Sequence, residues 1–320
     1  MENVDDVHKV MAKTSFITEC EKNLVVTLPL LLRIKDKKIV LERYQLNYGL
    51  CQALSIAFSQ FKDIATDFHL DSNNLSDEDF SALLQGMCQL TYVSRLSYNH
   101  NTFGEKSLKA LMPIISKKQI KHSLRSLHLK HCKMTAKVTN DLLYSFTRAK
   151  NYLRSLSLVN VNVNQSNYRE LCNLIKSSRY LQELDISWNG MRCANMYELI
   201  DVIVENRTIQ DLNLSYNNLH DSMQEKFAES TVADKIKHVA EKEKLAKKLL
   251  YAKTAAQKAQ AEYDSMDNSM QHIMKLCKFI KLNSNLMHLN LSGMGLTQQM
   301  MHEFGRAMRR TKSLVSLHLS

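Results

Sequence analysis

Glycine and proline are scarce in this 320-residue chain, at 7 and 2 residues, and tryptophan occurs once. So little turn chemistry excludes an all-β sandwich and favours long helices joined economically. There is no CxxC pair. The seven cysteines, Cys20, Cys51, Cys88, Cys132, Cys172, Cys193 and Cys277, are odd in number and scattered, which argues against a disulfide framework and for reduced thiols. No apolar run approaches the ~20 residues of a membrane span. The opening MENVDDVHKVMAK is acidic where a signal peptide is basic, so the expectation is a soluble cytoplasmic protein without a membrane association. Motifs of chemistry are missing too: no Walker loop, GxGxxG, HExxH or GxSxG, and no Cys/His cluster at metal spacing. No catalytic residue, metal, cofactor or small-molecule substrate is therefore expected.

What is present is a phrase written twice. LQELDISWNGM at 181–191 returns 28 residues later as IQDLNLSYNNL at 209–219, both LxxLxLxxNxL. Leu181, Leu184, Ile186, Asn189 and Met191 correspond to Ile209, Leu212, Leu214, Asn217 and Leu219. The first apolar position recurs at Ala65, Val93, Leu124, Leu153, Leu181, Ile209, Leu286 and Leu314, with steps of 28, 31, 29, 28, 28, 77 and 28. Such a step holds a strand, a turn and a helix of about three turns. The helices are visible in FSALLQGM, KSLKALMPII, VTNDLLYSF, YRELCNLI and MYELIDVIV. The asparagine column reads Asn73, Asn101, Cys132, Val161, Asn189, Asn217 and Met294; its side chain is expected to bond the backbone of the turn that follows, with Cys132 as a small hydrogen-bonding substitute.

On these residues the chain resembles leucine-rich repeat proteins of the ribonuclease-inhibitor-like class, which use long repeats of ~28 residues. The resemblance covers about residues 37 to 320. It implies an α/β solenoid, a curved parallel sheet with outer helices, that recognises proteins and carries no catalytic residues. FITECEKNLVVTLP, near the start, is similar to the lead-in of ciliary and testis-type leucine-rich repeat proteins, which implies cytoskeleton or cilium as the finer location.

The 77-residue step exceeds the regular 28 by 49 residues, between about His220 and Met270. This insertion has neither glycine nor proline and is rich in helix formers. Apolar residues alternate by three and four from Leu249 through Ala252, Ala256, Ala259, Tyr263, Met266, Met270, Ile273 and Cys277 to Ile280, a coiled-coil seam. Both ends must join one repeat, so a helical hairpin is expected, its tip at Glu241–Lys248 or, alternatively, at Asp264–Ser269. The expected organisation is a cap region at 1–36, repeats at 37–220, the helical insertion at 221–270 and further repeats at 271–320.

Side chains between the leucines should line the concave sheet. One row reads Asp67, Arg95, Ser126, Ser155, Glu183, Asp211, His288 and Ser316, the next His69, Ser97, His128, Ser157, Asp185, Asn213, Asn290 and His318. Glu183, Asp185 and Asp211 then gather beside Trp188 and Tyr216, an acidic patch with aromatic neighbours that fits a protein-recognition site. Residues 101 to 150 hold eleven basic groups against two acidic ones. Among them Lys106, Lys109, Lys117, Lys118, Lys121, Arg125, Lys130 and Lys133 are expected to form a basic flank on the outer face, suited to an acidic partner surface rather than nucleic acid. His288 and His318 are the only histidines expected to meet.

The leading reading is a non-enzymatic protein-binding scaffold that uses the concave face and a projecting helical arm. Two alternatives stand beside it: a GTPase activator similar to Ran-activating proteins, whose acidic tail this chain lacks, and a cytoskeletal or axonemal component binding acidic tubulin surface. SLVSLHLS at the end completes a strand with no helix behind it, so cover by further repeats or another subunit is expected there.

Overall fold

The computed structural model describes residues 4–27, 34–35, 37–61, 66–116, 124–149, 152–164, 166–219, 257 and 268–319. In chain order the elements are α1 (Val4–Lys22), β1 (Ile34–Lys35), β2 (Lys38–Val40), α2 (Tyr48–Ser59), β3 (Asp67–His69), α3 (Asp77–Cys88), β4 (Arg95–Ser97), α4 (Glu105–Ile115) and β5 (Ser126–His128). They continue with α5 (Ala136–Arg148), β6 (Ser155–Ser157), α6 (Tyr168–Ser177), β7 (Glu183–Asp185), α7 (Cys193–Glu205), β8 (Asp211–Asn213), α8 (Asn268–Leu282), β9 (His288–Asn290), α9 (Gln298–Met308) and β10 (Ser316–His318). This alternation of strand and helix is an α/β leucine-rich repeat solenoid. The chain divides into two compact units, Met1–Asn189 with Thr208–Asn213, and Gly190–Arg207 with Leu214–Ser320. Among the described residues no helix is long and apolar enough to cross a membrane.

In the first unit β1 is antiparallel to β2, and from β2 to β8 each strand pairs in parallel with the next. The register aligns Phe68, Leu96, Leu127, Leu156, Leu184 and Leu212, all buried to within 2 % of complete. Each three-residue strand turns its middle side chain to the helices and its outer two to the opposite face. The two polar rows read from spacing are therefore rungs of this ladder: Asp67, Arg95, Ser126, Ser155, Glu183 and Asp211 form one, and His69, Ser97, His128, Ser157, Asp185 and Asn213 the other.

Helices start where capping side chains stand. Asn47 accepts from the Leu50 N–H at α2, Thr135 from Val138 at α5, and Ser76 and Asp79 form a capping box at α3. These bonds satisfy N–H groups that a helix leaves orphaned. The cap of α4 comes from a neighbouring helix. Gly104 has no side chain to offer, and the Asp77 carboxylate of α3 accepts from the N–H groups of Gly104, Lys106 and Ser107 at 2.8, 3.0 and 2.9 Å.

The asparagine column works differently from the expectation. Asn101 Oδ1 accepts from the N–H of Asn73 and Leu75, and its amide donates to the carbonyls of Leu70 and Tyr98. Asn189 repeats the pattern with Val161, Val163, Leu158 and Ile186. The side chain thus ties its own strand exit to the preceding repeat, not to the turn after it. Cys132 keeps one of these bonds, its thiol donating to the Tyr98 carbonyl at 3.0 Å; burial pushes its pKa up to about 12, so it is a packed thiol. The residue before the column has positive φ in each unit: Ser72, His100, His131, Asn160 and Trp188 in the first, Tyr216 and Gly293 in the second. A left-handed residue is a property of this repeat turn.

The region expected as a cap, 1–36, contains the helix α1 and the strand β1. α1 packs on α2 with Ala12, Phe16 and Cys20 buried, a contact whose weak amphipathic pattern concealed it. In the second unit α7 packs on α8. Tyr197 stacks on His272 at 4.3 Å, its hydroxyl meets Ser269 Oγ at 2.6 Å, and Lys275 pairs with Asp201 at 2.7 Å. Met270, Ile273, Cys277 and Ile280, the last positions of the expected seam, are buried in this helix. Of the expected hairpin at 221–270 the structure describes only Gln257 and residues 268–270 at the start of α8; the rest lies outside the described residues. β9 and β10 are parallel, pairing Leu289 with Leu317.

Candidate functional site

The strand face of the first unit collects polar side chains in two rows. Glu183 and Asp211 stand directly opposite one another on β7 and β8, so two acidic groups share one rung. Glu183 is exposed, Asp211 half-buried. Asp185, on the next rung, is already engaged. Its Oδ2 lies 3.1 Å from Lys130 Nζ, and its Oδ1 accepts from the Ser187 N–H and hydroxyl at 3.2 and 2.7 Å.

That bond corrects the placement of Lys130. Lys130 follows β5 and reaches the strand face, away from any outer flank, because the strand exit turns its side chain toward Asp185. Of the other residues of the expected flank, Lys106 pairs with Glu78 of α3, while the neighbouring Lys137 pairs with Glu105 of α4 at 2.6 Å. Lys109, Arg125 and Lys133 are exposed. Lys117, Lys118 and Lys121 lie outside the described residues. The flank is thus partly neutralised by carboxylates of the preceding helix, and a polar cleft at its edge is lined by Glu19, Tyr48, Gln52, Glu78, Gln85 and Lys106.

The two aromatics of the expected site fall in different units. Trp188 in the first and Tyr216 in the second are each about half exposed, at 51 % and 45 %, with positive φ. Tyr216 lies over Gly293, whose α-carbon has no room for a β-carbon: one placed there would be 2.6 Å from Tyr216 Cδ1.

Histidines meet where spacing did not point. His100 and His131 stack at 4.9 Å with planes 12° apart, and Asn160 Nδ2 is 3.3 Å from His131 Nδ1. Burial, His100 and Lys130 lower the His131 pKa. His288, one of the pair expected to meet, instead has its Nδ1 2.7 Å from Ser316 Oγ, since register sets it opposite Ser316 and not His318. His128 is held 2.7 Å from Ser126 Oγ, and burial, Lys130 and Arg95 lower its pKa. At the opposite end of the strand face Glu42, His69 and Asp71 bring one ligand atom each within 4.8 Å of one another. Motif spacing missed them because the repeat, not local sequence, brings Glu42 beside His69; a search at one-repeat offsets finds the trio.

Residues 177–192 and 205–222 match the family model of the leucine-rich repeat. A comparison with curated proteins finds no match. The chain therefore carries leucine-rich repeats, a fold that generally mediates protein–protein interaction.

Proposed function

We propose that the protein is a non-enzymatic scaffold that binds a protein partner through the strand face of its repeats. The observation that carries the reading is the strand ladder of the first unit, whose outward rows set Glu183 opposite Asp211 beside Asp185, an acidic run on one sheet face. A basic patch on a partner complements these acidic side chains, and the half-exposed Trp188, three positions after β7, adds a rigid aromatic. Long repeats of strand plus helix support placement in the ribonuclease-inhibitor-like class. The residues inserted at 221–270 are proposed as a second contact.

The test is capture from native cells with the full chain. Glu183→Lys with Asp211→Lys should lose the partner while circular dichroism stays unchanged. Deleting 221–270 should weaken capture; retention of every partner by both variants ends the reading. Acceleration of GTP hydrolysis on any small GTPase would favour the activator alternative instead. Salt-sensitive co-sedimentation with microtubules would favour the cytoskeletal one.

A further inference from the structure

We propose that Glu42, His69 and Asp71 form a site for one divalent metal ion of the zinc class on the strand face of the first unit. His69 ends β3, Asp71 follows two positions on, and Glu42 sits in the loop after β2, brought alongside by the pairing of Val40 with His69. An imidazole nitrogen and two carboxylate oxygens lie within 4.8 Å of one another.

Asp71 is the fixed member. Its Oδ1 accepts from Ser97 Oγ and the Asn99 N–H at 2.8 and 2.7 Å; its Oδ2 accepts from Ser97 Oγ and Asn99 Nδ2 at 2.9 and 3.1 Å. The Ser97 hydroxyl has a single hydrogen, so three donors act at a time on a carboxylate with about four lone-pair positions. One position is left for a cation. Hydrogen bonds of this sort orient ligating carboxylates in metal sites.

Charge leads to the same conclusion. The chain has a net charge of +11, yet among the described residues no lysine or arginine pairs with Glu42 or Asp71. Nor does the His69 imidazole have a hydrogen bond there. Elsewhere in this unit carboxylates take cations, as Asp185, Glu78 and Glu105 do. An ion among the three residues supplies the missing positive charge.

The donor set selects the ion. One imidazole with two carboxylates is a nitrogen–oxygen set suited to zinc, whereas calcium takes six to eight oxygens. Zinc binds such donors at about 2.0–2.2 Å, which in tetrahedral geometry sets them ~3.4 Å apart. Glu42, exposed and on a loop, closes the remaining distance by side-chain rotation. The fourth position is left open to water on the strand face.

The test uses the full chain, reduced and stripped with chelator. Zinc is titrated calorimetrically, and cobalt, as a spectroscopic substitute, by absorption. One zinc per chain is expected, with affinity falling about tenfold or more in Glu42→Gln and below detection in His69→Ala, at unchanged circular dichroism. The cobalt spectrum should lack thiolate charge transfer, since all seven cysteines lie elsewhere. No zinc uptake by the wild type, wild-type affinity in both variants, or a thiolate-ligated cobalt spectrum would each overturn the site. Asp71 also holds Ser97 and Asn99, so its substitution is not used.

Discussion

Lys130 and Asp185 join across an intervening strand: Lys130 follows β5, Asp185 ends β7, and their charged atoms are 3.1 Å apart. The lysine is 38 % exposed and the aspartate 19 %, so solvent screens the pair and its net worth is about 1 kcal/mol or less. A double-mutant cycle of Lys130→Ala and Asp185→Ala, read by urea denaturation, should give a coupling within that bound. The larger effect should be on binding. Lys130→Ala frees the Asp185 carboxylate on the face that carries Glu183, and should strengthen capture of a basic partner while leaving stability nearly unchanged.

Gly86 is where helix propensity and packing give opposite answers. In a free helix, Gly→Ala is favourable by ~1 kcal/mol. Here the added β-carbon would fall well inside van der Waals contact with the Ser55 carbonyl oxygen of α2, a backbone atom that cannot rotate away. Overpacking of this kind costs typically ~1–3 kcal/mol or more, so the clash wins. Gly86→Ala should lower the thermal midpoint; an unchanged or raised midpoint would mean that α2 and α3 are not so close.

Gly293 combines two constraints that can be separated. Its φ is +65°, and a β-carbon would meet the Tyr216 ring at 2.6 Å. Left-handed backbone alone penalises alanine by roughly 1 kcal/mol. Gly293→Ala should therefore destabilise, and by less in a Tyr216→Ala background, where only the backbone part remains. Equal losses in both backgrounds would remove the ring from the explanation.

The ladder was legible in sequence because the side-chain period of a strand fixes which residues share a face, and the repeat fixes which share a rung. Leu184 and Leu212 follow from that alone. Long side chains were not legible. Lys130 sits in a stretch rich in base, yet its stem spans a whole strand to Asp185, which residue counting cannot see. The His100–His131 stack was missed for a related reason: the two are one long repeat apart, and only the shared left-handed turn aligns their rings. α1 has apolar residues on its outer side too, with Val10 and Met11 exposed, and so lacks the one-sided pattern that announces a helix.

The Asp77 cap makes a prediction in pH. Burial would raise its pKa, but the hydrogen bonds from Ser107, Lys106 and Gly104 outweigh it and hold the group below the ordinary 3.8. A carboxylate depressed by folding stabilises the fold fully above its unfolded pKa, and the contribution disappears as pH falls through the lower, folded value. Stability should accordingly drop as pH falls below about 4, and Asp77→Asn should flatten that part of the profile. At neutral pH Asp77→Ala should lose about 1 kcal/mol, as for other caps. Gly104→Ala attacks the same contact from the other side, since its β-carbon would come 2.5 Å from Asp77 Oδ2. If the cap is the shared cause, Asp77→Ala should make Gly104→Ala nearly neutral; additive losses in the double variant would show that the two residues act separately.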